Sequence, residues 1–114
     1  TTIALACLET VVHYDDIGLP VLRILVEYRI PIEVTDKGVN VTLPPRWDSM
    51  TDSDAADVGT RWLEQNTELL LYVPSVIIQM ESNVLINPLH PDKALIEVID
   101  HGEFKYDPRL IGRP

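Results

Sequence analysis

An α+β fold is predicted by three features of this chain. Helical and strand periodicities follow one another in the order helix, strand, helix, several strands, without the strict alternation of a parallel α/β sheet. The length of 114 residues accommodates one domain with a real core and leaves no room for a second. An apolar share of 46%, against 24% charged residues, belongs to a globular chain rather than a disordered one.

The first element is a helix over Thr2 to Tyr14. Ile3, Ala4, Cys7, Leu8, Val11 and Val12 recur at helical spacing as an apolar stripe, with Thr2, Ala6, Glu9 and His13 opposite. Gly18 and Pro20 in "DDIGLP" are its stop signals. "VLRILVEYRIPIEV" alternates, with Leu22, Ile24, Val26, Tyr28 and Ile30 on one face and Arg23, Glu27 and Arg29 on the other. This pattern predicts a half-buried strand. A turn-rich stretch follows, with a short strand at Val39 to Leu43.

"SDAADVGTRWLEQN" reads as the second helix. Asp52 or Ser53 would cap it, Val58, Trp62 and Leu63 would face inward, and Asp57 and Arg61 would pair one turn apart. Strands are then predicted at Leu69 to Val73, Val76 to Met80 and Ala94 to Ile99, with Pro74 marking a bulge, kink or edge. The chain opens at Thr1 already inside a helical pattern and without methionine, which suggests part of a longer polypeptide.

Composition excludes several function classes. A net charge of −9, with cations thinly spread, opposes nucleic-acid and anionic-membrane binding. The single Cys7 permits no intramolecular disulfide and points to a reducing, cytoplasmic setting. No apolar run has membrane-spanning length. Three scattered histidines and one cysteine lack metal-ligand spacing, and the five isolated glycines make no phosphate loop.

A few residues could carry chemistry. Glu9 stands at the edge of the apolar stripe with His13 one turn on, an arrangement suited to acid–base or cation-stabilising work, or to a solvated helix face. Ser75 follows a proline in an apolar run. It could be a nucleophile, a ligand-binding hydroxyl or a hydroxyl bonded to its own backbone, and no nucleophile-elbow motif surrounds it. Asn83, Asn87 and His90 fall in a loop stiffened by Pro88 and Pro91, where pinning the loop and touching a ligand are both open. His101, before Gly102, reads as a surface turn residue.

Taken together, "ALACLETVVHY", "VPSVIIQMESNVLINPLHP" and "YDPRLI" resemble the RES domain family, toxins of bacterial toxin–antitoxin pairs named after an arginine, a glutamate and a serine. The segments occur in family order over essentially the whole chain. Glu9 matches the family's glutamate in Ala-x-x-Leu-Glu-x-x-Val-His, and Ser75 its serine in Val-Pro-Ser. "NVLINPLHP" matches its Asn-x-Leu-x-Asn-Pro-x-His-Pro loop. No arginine here has a matching context. The family's arginine and a pocket tyrosine are expected ahead of Thr1, on strands that this RES-like domain of residues 1–114 would lack; a domain without activity is the other explanation.

The resemblance implies a twisted mixed, largely antiparallel sheet with packed helices, similar to ADP-ribosyltransferases, with the first helix laid on one face. It implies an enzyme that degrades NAD, as substrate, by hydrolysis or phosphorolysis of the nicotinamide–ribose bond, without a metal. Glu9 and Ser75 would be catalytic, meeting across one cleft, and His13, Asn83 and Asn87 would bind NAD. A DNA-binding antitoxin would be the partner, and homo-oligomers fit the family. The alternatives are a protein ADP-ribosyltransferase and a non-catalytic NAD-binding or interaction module.

Overall fold

The computed structural model describes residues 2–12, 23–48 and 54–110. Helices, two antiparallel strand pairs and one parallel pair give the mixed α and β content the sequence predicts. The elements are α1 (Ile3–Val11), β1 (Arg23–Arg29), α2 (Ile32–Thr35), β2 (Val39–Asn40), α3 (Asp54–Gln65), β3 (Leu70–Pro74), β4 (Ser82–Ile86) and β5 (Glu97–Phe104). They fall into two compact units. One comprises residues before Ile30 and after Ile96; the other runs from Ile30 to Ile96.

In the first unit Thr2 caps α1. Its backbone is extended and its hydroxyl oxygen accepts the Leu5 N–H at 3.1 Å, satisfying one of the helix's orphan donors. The buried residue of α1 is Leu5, while Ile3 and Val12 of the expected stripe are exposed. The inward face is therefore turned from the predicted one. The expected helix end at His13 and Tyr14, the stop signals Gly18 and Pro20, and Leu22 lie outside the described residues.

β1 and β5 form a two-stranded antiparallel ribbon in which Tyr28 opposes Val98 and Glu27 opposes Ile99. β1 does not bury the apolar face that its alternation predicts. Ile24, Val26 and Tyr28, its apolar face, are 60%, 39% and 54% exposed, and among the described residues the ribbon has only two strands. Between Ile24 and Val26 the register slips, and β5 carries one more residue than β1 across the slip. Gly102 supplies the turn of backbone this needs, with φ at +79° and its N–H bonded to the Asp100 carboxylate at 2.7 Å. His101 is thus a strand residue rather than a turn residue, though it is exposed as predicted.

The second unit holds a three-stranded sheet in the order β2-β3-β4, parallel between β2 and β3 and antiparallel between β3 and β4. Among the described residues two separate sheets thus stand where a single sheet was expected. β3 is the central strand, and Leu70 and Leu71, which alternation puts on opposite faces of it, are both buried. Val34, Leu69 and Leu70 form the core, with Ile30, Tyr72, Val84, Ile86 and Ile96 packed on it. Val34 reaches this core from α2, where the sequence pattern predicted continued strand. Pro31, with φ at −56°, ends the extended run and precedes the helical turn.

Three further expectations change. Val76 to Met80 is a turn, not a strand, and Ala94 belongs to a 3-10 segment spanning Pro91–Leu95, so the last strand starts at Glu97. Of the residues expected to face inward on α3, Trp62 is buried and Val58 half-buried, but Leu63 is 43% exposed. The Arg61 guanidinium donates to the Asp57 backbone carbonyl at 3.4 Å. The proposed caps Asp52 and Ser53 lie outside the described residues.

Candidate functional site

The segment from Tyr72 to His90 carries most of the polar residues singled out by sequence. β3 ends at Pro74, which has no N–H to continue a ladder and pairs with Ser82. Ser75 closes the hairpin: its N–H donates to the Glu81 carbonyl at 2.9 Å. Its hydroxyl oxygen accepts the N–H groups of Ile77 and Ile78, each at 3.1 Å. The side chain is fully buried. A serine in this position acts as a local cap, trading a strand ladder for a tight turn.

Asn83 lies on β4 opposite Val73, rather than in a loop. Asn87 follows the same strand and is 1% exposed. Its amide is satisfied inside the protein: Nδ2 donates to Asn66 Oδ1 at 2.5 Å and to the Glu68 carbonyl at 3.4 Å, and Oδ1 accepts the Leu89 N–H at 3.0 Å. The backbone N–H of Asn87 also donates to the Leu69 carbonyl at 2.8 Å. Asn66, at φ +51°, holds the left-handed position that asparagine tolerates best among non-glycine residues. His90 caps the 3-10 segment, its Nδ1 accepting the Asp92 N–H at 3.0 Å.

Within this unit Ser75 and Asn83 are brought close by the hairpin, while Asn87 sits at the other end of β4. Glu9 belongs to the first unit, half-buried on α1 one turn beyond buried Leu5. His13 lies outside the described residues. In the first unit the Glu27 carboxylate takes Arg29 at 2.8 Å and His101 at 2.7 Å, and the Arg29 hydrogen bond, then that from His101, holds its pKa below the ordinary value.

Sequence reasoning missed an apolar groove in the second unit, of about 450 Å³, between α3 and the sheet. Leu43, Trp47, Val58, Leu63, Val76 and Leu85 are among its walls. The exposed Leu63 and the unexpected turn after Ser75 create it, and neither was legible in the helical and strand periodicities. Among the described residues no group of three or more His, Cys, Asp or Glu side chains is placed to hold a metal, and no helix is long and apolar enough to cross a membrane.

Comparison with known proteins matches this chain to the RES domain model over residues 1–107. It is 44% identical over 112 residues to a protein of Sphingobium sp. strain YBL2 named Prs ADP-ribosylating toxin, covering 95% of this chain and 70% of that protein. It is 34% identical over 117 residues to a protein of Yersinia enterocolitica named Toxin Res, covering 96% of this chain and 74% of the relative. A Toxin Res of Pseudomonas putida is also 34% identical, over 109 residues, with 92% and 72% covered. With that model spanning nearly its whole length, the chain belongs to the RES domain family.

Proposed function

We propose that this chain is an NAD-consuming toxin and that it transfers ADP-ribose from NAD to a protein acceptor. The observation that carries this reading is the 44% identity, over 95% of the chain, to a protein named for ADP-ribosylating Prs. In the reaction the nicotinamide–ribose bond breaks and nicotinamide leaves with the bonding pair. A nucleophilic atom of the acceptor bonds the ribose carbon and gives up its proton. Water or phosphate in place of the acceptor turns the same pocket to hydrolysis or phosphorolysis.

Positive charge develops on the ribose as nicotinamide departs, and a carboxylate fixed nearby stabilises it more than it stabilises NAD itself. Glu9 is assigned that role, with His13 orienting it or contacting a phosphate. Ser75 and Asn83 are assigned to the nicotinamide-ribose end. The twofold engagement of the Ser75 oxygen favours a positioning role, in which it fixes the turn between β3 and β4. Asn87, saturated within the fold, shapes the same segment. A family arginine ahead of Thr1 would supply the phosphate contact that an acidic chain needs. The resemblance to ADP-ribosyltransferases in fold belongs to this reading, as do a cytoplasmic site of action, where NAD is plentiful, and a DNA-binding antitoxin that keeps the toxin silent.

Glu9→Gln in the full-length protein tests the assignment. The variant should retain the wild-type circular dichroism spectrum while nicotinamide release falls about 100-fold or more, the usual loss when one charge-stabilising group is removed. Undiminished NAD loss would remove Glu9 from the mechanism. Mass analysis of the products, with and without phosphate and Prs protein, separates protein modification from hydrolysis and phosphorolysis.

A further inference from the structure

The turn between β3 and β4 has the composition of a core and the exposure of a surface. From Ser75 it reads Ser-Val-Ile-Ile-Gln-Met-Glu. Met80 is 99% exposed, Val76 50% and Ile78 38%. Leaving such side chains in water forgoes the free energy of burying them, and contiguous exposed apolar surface marks a place where something else is meant to sit.

This tip is held out rather than collapsed. The Ser75 oxygen fixes the backbone at Ile77 and Ile78, the Ser75 N–H fixes Glu81, and the Glu81 N–H donates back to the Ile78 carbonyl at 2.9 Å. Val76 is also a wall of the groove that contains Trp47 and Leu63, so tip and groove form one continuous apolar surface within the second unit. On the side of the turn its margin is acidic. Gln79 bonds the Asp48 carboxylate at 3.1 Å, Glu81 closes the turn, and residues 75–82 include no cation.

We propose that this turn and the adjoining groove dock the protein acceptor of the ADP-ribosyl group, through an apolar side chain on the acceptor that is rimmed by lysine or arginine. The inference rests on the acceptor reading above and adds the surface that selects the acceptor. Charge selects among the occupants. NAD carries two phosphates, which Asp48 and Glu81 repel, and a second copy of a chain with net charge −9 meets the same repulsion. A basic rim around an apolar anchor is attracted by these carboxylates and fills the groove behind them. Ser75 begins this turn, so a protein seated on Val76 and Met80 lies next to a residue assigned to the site.

The test uses the full chain, labelled NAD and Prs protein, with two readouts: nicotinamide released without Prs, and label transferred to Prs. Met80→Ser and Val76→Ser should each lower labelling about tenfold, as loss of an interface anchor does, while nicotinamide release without Prs stays at the wild-type level. Asp48→Lys should lower labelling more strongly at low salt than at high salt. Wild-type labelling in both serine variants overturns the docking role, and so does a parallel fall in both readouts. Wild-type protein that releases nicotinamide but leaves Prs unlabelled overturns the acceptor reading itself, and the docking role with it.

Discussion

Replacing Ser75 by alanine removes one oxygen and, with it, the acceptor for two backbone N–H groups. Both bonds are 3.1 Å long and partly buried. Each such bond contributes about 0.5–1.5 kcal/mol net, and side-chain caps of this kind cost about 0.5–2 kcal/mol when cut to alanine. Because both bonds are only partly buried, the expected loss lies near the cap figure. We expect about 1.5 kcal/mol, or roughly 6 °C in Tm for a domain of this size. Thermal denaturation followed by circular dichroism at 222 nm measures it. Nicotinamide release should fall together with stability, and Ser75→Thr should recover part of the release, because it keeps the oxygen while crowding a buried position. An unchanged Tm in Ser75→Ala, with nicotinamide release abolished, would refute the turn-holding account and make the hydroxyl a direct ligand of NAD.

Asn87→Ala should cost about 3 kcal/mol, since it strips partners from Asn66, Glu68 and Leu89 at a position with almost no solvent; a urea unfolding midpoint at the wild-type value would contradict it. Gly38→Ala should destabilise by about 1–3 kcal/mol. A Cβ there would stand 2.5–2.6 Å from the Tyr72 ring, whose hydroxyl donates to the Thr35 carbonyl, and a Tyr72→Leu background should absorb most of the loss. Carboxyl NMR should find Glu27 titrating below 4.5, and Arg29→Ala should bring it back up. A lowered folded-state value means this small contribution to stability is present above pH 4.5 and disappears as pH falls through the folded-state value. Because the group is solvated, added salt should move its titration toward 4.5.

The elements most legible in the sequence are those whose burial repeats regularly. The apolar run of β3 and the spans of α1 and α3 appear close to where they were expected, whereas Thr2, read as a residue of the polar face, is the cap of α1. Errors cluster where one local interaction overrides a pattern. Pro31 turns an alternating run into α2, and the Ser75 oxygen turns a strand-like apolar run into a tip. Gly102 lets β5 carry an extra residue, which moves His101 from a turn into a strand. Periodicity also cannot say which apolar residues find a covering layer, so the exposed face of β1 and the rotated face of α1 were invisible to it. Of the site residues, Glu9 and Ser75 came from motifs. The internal partners of Asn87 come from residues about 20 positions away, which no local spacing records.

The chain has two tryptophans, and both belong to the Ile30–Ile96 unit. Trp62 is buried, and its indole N–H meets no acceptor among the described residues, so its excited state has few dipoles to relax against and should emit at short wavelength. Trp47 is a wall of the groove and is only half-buried, so its emission should shift when something displaces water there. Intrinsic fluorescence is therefore a built-in reporter of one half of the protein. The ribbon of β1 and β5 contributes no indole to that signal, and its unfolding has to be followed by another probe.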